Sequence, residues 1–261
     1  MYDQLASVYD YFVNWESRLS YELPFLLRTL AALGPTPTAM HVLDAACGTG
    51  QHALALAREG YQVTGTDLFP QMIEIARSHA AAASLPANFQ TAAFGSISET
   101  LQQAGQFDAL LCLGNSLPHV HSWAELEQTL TDFSRLLRPG GLLVTQMRNF
   151  DQVMAARNRW MEPQSVEEPD HEWLFFRFYD FEADGRIQFN ILSMQREKPG
   201  PWQIQHTTTQ LLPILSTPYL QALHASGFSQ VATFGNMHGD SFDPGRSGDL
   251  IITAVKDARS D

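Results

Sequence analysis

The chain has 261 residues, of which 44% are hydrophobic, with 16 Lys plus Arg against 28 Asp plus Glu and a formal net charge of −12. That length and apolar fraction suit one large domain or a domain with a substantial insertion, and the acidic balance argues against a nucleic-acid partner, which is held by clustered Lys and Arg. The start, MYDQLASVYDYF, has no basic stretch leading into an apolar one, and no run approaches the roughly 20 apolar residues that span a bilayer, so the expectation is a cytoplasmic protein with no membrane partner.

In chain order, Leu5, Val8, Tyr9 and Phe12, then Leu19, Leu23, Leu26, Leu27 and Leu30, recur at helical spacing, predicting two helices with a break near Asn14 to Ser17. Gly34-Pro35-Thr36-Pro37 ends the second one. A short apolar run, Met40 to Leu43, reaches the carboxylate of Asp44 and passes through Ala45, Ala46 and Cys47 into Gly48-Thr49-Gly50, behind which Ala53, Leu54 and Ala57 repeat at helical spacing. This is a strand, a glycine turn and a helix. The glycines let backbone approach a ligand, and the helix points its free N–H groups at it.

A second strand, Tyr61 to Asp67, ends in an acid 23 residues beyond Asp44, close to the spacing of about 20 at which such an acid meets a ribose diol. Asp67 could instead cap the helix that follows at MIEIARSHAAAA, but its position relative to the glycine turn favours the ribose. Further strands are predicted over Asn88 to Ala93, Phe107 to Leu113 and Leu142 to Met147, with a helix from Trp123 to Leu137. The pattern then turns antiparallel: Trp173 to Phe181 and Ile187 to Met194 flank Asp184-Gly185, a hairpin signal, and a third segment, Trp202 to Leu212, carries Ile204, His206 and Thr208 on one face. A helix from Thr217 to Ala225 and strands Phe228 to Phe234 and Leu250 to Val255 close the chain. The expected organisation is a helical cap (1–37), a cofactor-binding core (38–150), an inserted antiparallel lid (151–213) and the closing part of the core sheet (214–261).

Gly48-x-Gly50-x-x-Ala53 also fits a relaxed dinucleotide fingerprint. Asp44 weighs against it, because a carboxylate at the strand end repels a pyrophosphate, whereas S-adenosylmethionine brings a sulfonium and an ammonium that a carboxylate suits. Cys47 and Cys112 are far apart with no CxxC, so neither a disulfide nor a zinc site is expected; His119-x-His121 lacks a third ligand, and no metal is assigned.

VLDAACGTG, the acid of VTGTDLF, FDALLCLGNSLPHV and LLRPGGLLVTQMRNFD together resemble the class I S-adenosylmethionine-dependent methyltransferases, and CLGNS, His119 and RPGGLL…RNFD resemble their glycine/sarcosine N-methyltransferase branch. The likeness covers most of residues 1–151. It implies an α/β, Rossmann-like seven-stranded sheet whose last strand is antiparallel, N-terminal helices and the inserted β lid. It implies that Ala46 and Gly48 line the methionine end of the cofactor, that Asp67 binds the ribose, that Ala93 and Phe94 flank the adenine and that Leu113 lies beneath the cofactor; Asp44 and Gly50 of the glycine turn are counted with them as cofactor-binding residues. Arg18 would pair with the methionine carboxylate, and Tyr2 and Tyr9 would cover the cofactor.

For the acceptor, the resemblance assigns a carboxylate to Arg148, with Asn115 and His119 nearby. Where that branch has acceptor-side tyrosines this chain has Leu211 and Leu212, leaving Trp160 or Tyr179 for that role and room for a larger, less polar acceptor. The expected activity is methyl transfer to a small-molecule amine of the glycine or sarcosine kind. The alternatives are N- or O-methylation of a larger molecule and a non-catalytic S-adenosylmethionine-binding protein.

Overall fold

A computed structural model of the chain describes residues 9–258. The expectation for Tyr2 therefore lies outside the described residues.

The two most apolar runs form the middle of the main sheet. Strands β1 (His41–Ala45) and β4 (Phe107–Cys112) pair in parallel, Val42 opposite Ala109 and Asp44 opposite Leu111, and Leu43, Leu110 and Leu111 are wholly buried. β2 (Gln62–Asp67) and β3 (Ala87–Thr91) extend the sheet on one side of them. On the other side lie β5 (Leu137–Arg148) and the chain's closing strands, β10 (Phe228–Phe234) and β11 (Asp249–Lys256), giving the order β10-β11-β5-β4-β1-β2-β3. β11, the last strand in sequence, runs antiparallel to both neighbours.

Helices cover both faces. On one, Leu26 and Leu30 of α2 (Trp15–Ala31), Leu54 of α3 (Gln51–Arg58) and Ile73 of α4 (Pro70–Ala83) share a core with Val42 and Leu111. On the other, Ile97 of α5 (Ile97–Leu101), Leu130 and Phe133 of α6 (Trp123–Leu136) and Tyr219 of α8 (Ser216–Ala225) pack on Leu43 and Leu110. The short α1 (Tyr9–Phe12) precedes α2, and the break between them is set by Asn14, whose side chain accepts from Ser17 N at 3.0 Å as an N-cap.

After α7 (Phe150–Ala156), a second, antiparallel sheet is built from β6 (Gln164–Glu167), β7 (His171–Phe181), β8 (Ile187–Glu197) and β9 (Gln203–Leu211) in that order. Its period-two pattern turns Phe175, Tyr179, Ile187 and Leu211 inward, where Tyr179, Ile187 and Leu211 pack with Phe150 of α7. Ile204, His206 and Thr208 share a face, but the outer one, and Ile204 is 65% exposed.

Two expectations need correction. The inserted sheet has four strands, since the polar QSVE of β6 shows no alternation of its own and forms a strand by pairing with β7. β5 begins at Leu137, not Leu142, because Arg138-Pro139-Gly140-Gly141 is absorbed into the strand by a register shift against β4, with Gly140 at φ +73°.

The strand order reverses at β1, which is flanked by β2 on one side and β4 on the other. The chain leaves β1 for a helix on one face and β4 for a helix on the other, so a crevice opens where their carboxyl ends part. Beneath the turn after β1 the packing is close: a Cβ on Gly65 would sit 2.6 Å from the Phe89 ring and 2.9 Å from Cys47 Sγ. Gly65→Ala should cost about 1–3 kcal/mol in urea unfolding, whereas Gly248→Ala, with nothing within 4 Å of its Cβ, should stay within about 0.5 kcal/mol of wild type. Equal costs for the two would show that this packing does not constrain the turn.

Candidate functional site

The turn after β1 is held in left-handed conformations that only a fixed surround maintains: Ala46 at φ +61°, Gly48 at +55° and Gly50 at +82°. The two glycines adopt this freely and Ala46 pays for it in strain. Two bonds from β2 hold the turn down. Cys47 N donates to Thr66 O at 2.8 Å, and Gly48 N donates to Asp67 Oδ2 at 2.9 Å. Asp67 Oδ1 also accepts from Phe69 N at 2.9 Å, so this acid both ties the turn and shapes the entry to α4 while lining the crevice.

Asp44 lies behind the turn and is 2% exposed. Its Oδ2 is buried with no hydrogen-bond partner among the described residues. Burial raises its pKa to about 6, with His52 opposing and Asp67 adding to the rise.

The crevice, about 340 Å³, is lined by Tyr9, Ala46, Gly48, Asp67, Ala93 and Phe94, the set of expected cofactor residues that the structure brings together. Asp44, Gly50 and Leu113 stand behind its wall; Gly50 faces Ala76 and Phe89, and Leu113 is buried in the core. Phe94 meets the Phe133 ring edge-on at 5.8 Å, which anchors it to α6.

His119 lines this same crevice beside His121 and Glu125, not the space around Arg148. Burial first and the His121 charge second push its imidazole down to about 4, so it is neutral at pH 7. The expected grouping of His119 with Arg148 and Asn115 is therefore split between two cavities.

The second cavity, about 420 Å³, lies between the carboxyl ends of the main sheet and the inner face of the second sheet. Arg148 and Asn115 line it. Asn115, at φ +63°, accepts from Arg148 N at 2.9 Å through Oδ1, and Arg148 Nη1 lies 3.2 Å from Asp249 Oδ1. Gln146 links the same group, accepting from Gly114 N and donating to Asp249 Oδ2. Tyr179 also lines this cavity, whereas Trp160 is 68% exposed and leans on Phe178 of the outer face. Tyr9 and Gly114 line both cavities, so the two meet there.

Arg18 stands at that meeting point, its Nη2 3.2 Å from where a Gly114 Cβ would be. Its Nε donates to both oxygens of Glu22 at 3.1 Å, and Glu22 Oε2 lies 2.6 Å from His52 Nε2. Burial works against the Glu22 carboxylate, but the His52 hydrogen bond and the Arg18 charge hold its pKa below the ordinary value. Glu22 and His52 escape sequence reading because their pairing joins residues 30 apart. The available signals were weak: Glu22 follows Arg18 at i+4, and His52 falls in the first turn of α3. Asp10 adds a further link, accepting from Trp15 Nε1 and Thr49 Oγ1, each at 2.7 Å.

A sheet reversing at a glycine turn, acids ending both strands beside it and a second cavity joined to the first make up a Rossmann-like α/β domain of the methyltransferase fold. A family model described as a methyltransferase domain matches residues 42–141. A glycine/sarcosine N-methyltransferase from Aphanothece halophytica is 32% identical over 56% of this chain and 53% of its own length, so the chain aligns to about half of that relative. An S-adenosylmethionine-dependent methyltransferase structure from Clostridium acetobutylicum superposes with a TM-score of 0.79 over 98% of this chain and 99% of that one, at 13% identity. The sugar N-methyltransferase KedS8 from Streptoalloteichus gives 0.75 over 98% and 93%, at 20% identity.

The cofactor of this class is S-adenosylmethionine, and the residues present fit it. Asp44 supplies a buried negative charge with an unused oxygen behind the glycine turn, and Arg18 offers a guanidinium to a carboxylate at the other end. The pH dependence follows. Below about pH 6 Asp44 is protonated in the free protein and must lose that proton to meet a cation, so S-adenosylmethionine affinity should fall up to tenfold per pH unit there and level off above it. Calorimetry from pH 5 to 8 would show this; an unchanged pH profile in Asp44→Asn would assign the titration to another group.

Proposed function

We propose that the chain transfers the methyl group of S-adenosylmethionine to the amine nitrogen of a small amino acid of the glycine or sarcosine kind. The observation that carries this reading is the position of Arg148 and Asn115 in a cavity that meets the cofactor crevice at Tyr9 and Gly114. An acceptor whose carboxylate lies on Arg148 can extend its amine toward that junction. The similarity to glycine/sarcosine N-methyltransferases supports the same acceptor class.

The cofactor supplies an electrophilic methyl on a sulfonium, a leaving group that needs no acid. The chain's task is then alignment, and holding the two reactants in line accounts for about 7–11 kcal/mol of barrier. Arg148 holds the acceptor by its anionic end, Tyr9 borders the path between the cavities, and residues 151–213 act as a lid that keeps water out. The amine must present a lone pair, so it binds neutral; its remaining proton leaves to solvent once the new C–N bond has formed. His119, facing the other cavity, takes no part in that transfer. In this reading Arg18, Asp67, Phe94 and the turn at Ala46 and Gly48 serve the cofactor.

A second reading, a larger amine such as an amino sugar, is favoured by the size of the second cavity and by Leu211 and Leu212 standing where tyrosines are expected. Its structural likeness to a sugar N-methyltransferase extends through the second sheet. Screening amino acids, amines, amino sugars and phenols for S-adenosylhomocysteine release separates the two. No turnover with any acceptor, despite tight cofactor binding, would leave the non-catalytic binding protein. Arg148→Met should lower kcat/KM for a carboxylate acceptor about 100-fold, equivalent to about 2.7 kcal/mol, while S-adenosylmethionine Kd stays within twofold. Full activity in that variant would remove Arg148 from the acceptor site.

A further inference from the structure

The outer face of the second sheet presents apolar side chains to solvent. The register aligns Leu174 of β7, Met194 of β8 and Ile204 of β9 in one row across three strands, and sets Phe176 beside Leu192 in the next. Phe176, Ile204 and Trp160, which leans on Phe178 next to them, are exposed. An apolar row on the solvent side of an antiparallel sheet breaks the alternation of apolar inside and polar outside, and contiguous patches of this kind mark interaction surfaces. The polar groups around the row are already partnered. Glu167 pairs with Lys198, Glu172 with Arg196 and Asp180 with Arg159, while Asn190 bonds to both Asp180 and His206. Covering the face leaves these groups satisfied.

We propose that this face binds a second copy of the chain, the two antiparallel sheets packing back to back about a two-fold axis. Two observations select that occupant. The first is charge: a two-fold contact sets a patch against itself, so a patch with net charge repels its copy. The chain has a net charge of −12, yet the three acids and three bases paired on this face cancel. A basic partner would be met by an acidic face and an anionic membrane by a basic one, and this face is neither. The second is area. With each residue taking about 3.4 Å along its strand and strands about 4.8 Å apart, the four strands offer roughly 600 Å² in plan. Two such faces reach about 1,200 Å², where stable specific interfaces begin, before side-chain relief and Trp160 are added. The inner face of the same sheet borders the acceptor cavity through Tyr179 and Ile191, so the contact braces that wall from behind. The proposal is independent of the acceptor's identity and of turnover.

Sedimentation velocity of the full chain at neutral pH reads the result. A dimer is expected at about 50 μM protein. Raising NaCl from about 0.05 to about 0.5 M should leave it intact or tighten it, because salt screens the repulsion between two acidic chains and does not weaken an apolar contact. Ile204→Glu adds a like charge to both copies at the contact and should weaken dimerisation about 100-fold, and Trp160→Ala about tenfold. Both variants should bind S-adenosylhomocysteine within about twofold of wild type, which reports that they fold. Should the Glu variant fail to fold, Ile204→Lys carries the same comparison. A chain that is monomeric at that concentration, a dimer unmoved by either substitution, or one that salt dissociates would overturn the proposal. A monomer that binds vesicles of phosphatidylcholine and phosphatidylglycerol, and loses them on Ile204→Glu, would also overturn it and give the face to a membrane.

Discussion

The site depends on the Glu22 carboxylate, held between Arg18 and His52. It is 5% exposed, and burying it without partners would cost several kcal/mol. With a guanidinium on one side and an imidazole at 2.6 Å on the other, it joins α2 to the first turn of α3. Arg18 is thereby aimed at the turn between β4 and α6, and His52 is set close enough to Asp44 to temper the effect of its burial. Asp10 makes a second join, reaching Thr49 inside the glycine turn. Charge-assisted bonds of this kind contribute about 1.5–3 kcal/mol each, so the helices before the sheet are fixed to the cofactor turn, not merely packed nearby.

The two cavities divide the electrostatic work. Acids surround the crevice at the ends of β1 and β2, where a sulfonium and an ammonium need negative charge. Arg18, Arg148 and Arg177 line the cavity across the junction, where the acceptor is proposed to bind. Tyr9, half-buried and with its hydroxyl pKa raised by desolvation, stands between the two fields.

Much of this was legible from the chain. Asp44, the glycine turn and Asp67 are local signals, since strand, turn and helix follow within a few residues, and the acid spacing is set by one βα unit. Pairings across long separations left less trace. Glu22 and His52 read as a solvated helix acid and a helix histidine until the fold brings them together. Arg177 did carry a signal: in Trp173 to Phe181 it takes the parity of Trp173, Phe175 and Tyr179, an inward position for a charged residue. The loop after β4 serves both cavities, His119 lining the crevice and Asn115 the second cavity, a division that residue spacing within the loop does not reveal.

The family match ends at residue 141, whereas the second sheet begins at Gln164, and yet structural likeness runs through nearly the whole chain. That contrast has a physical cause. The crevice residues Ala46, Gly48, Asp67, Ala93 and Phe94 all fall within the matched residues 42–141, where strand, turn and helix leave a local pattern in the sequence. The second sheet lies outside that stretch and is held by backbone pairing and alternation, which fix its register whatever side chains stand at inward positions such as Arg177 and Leu211.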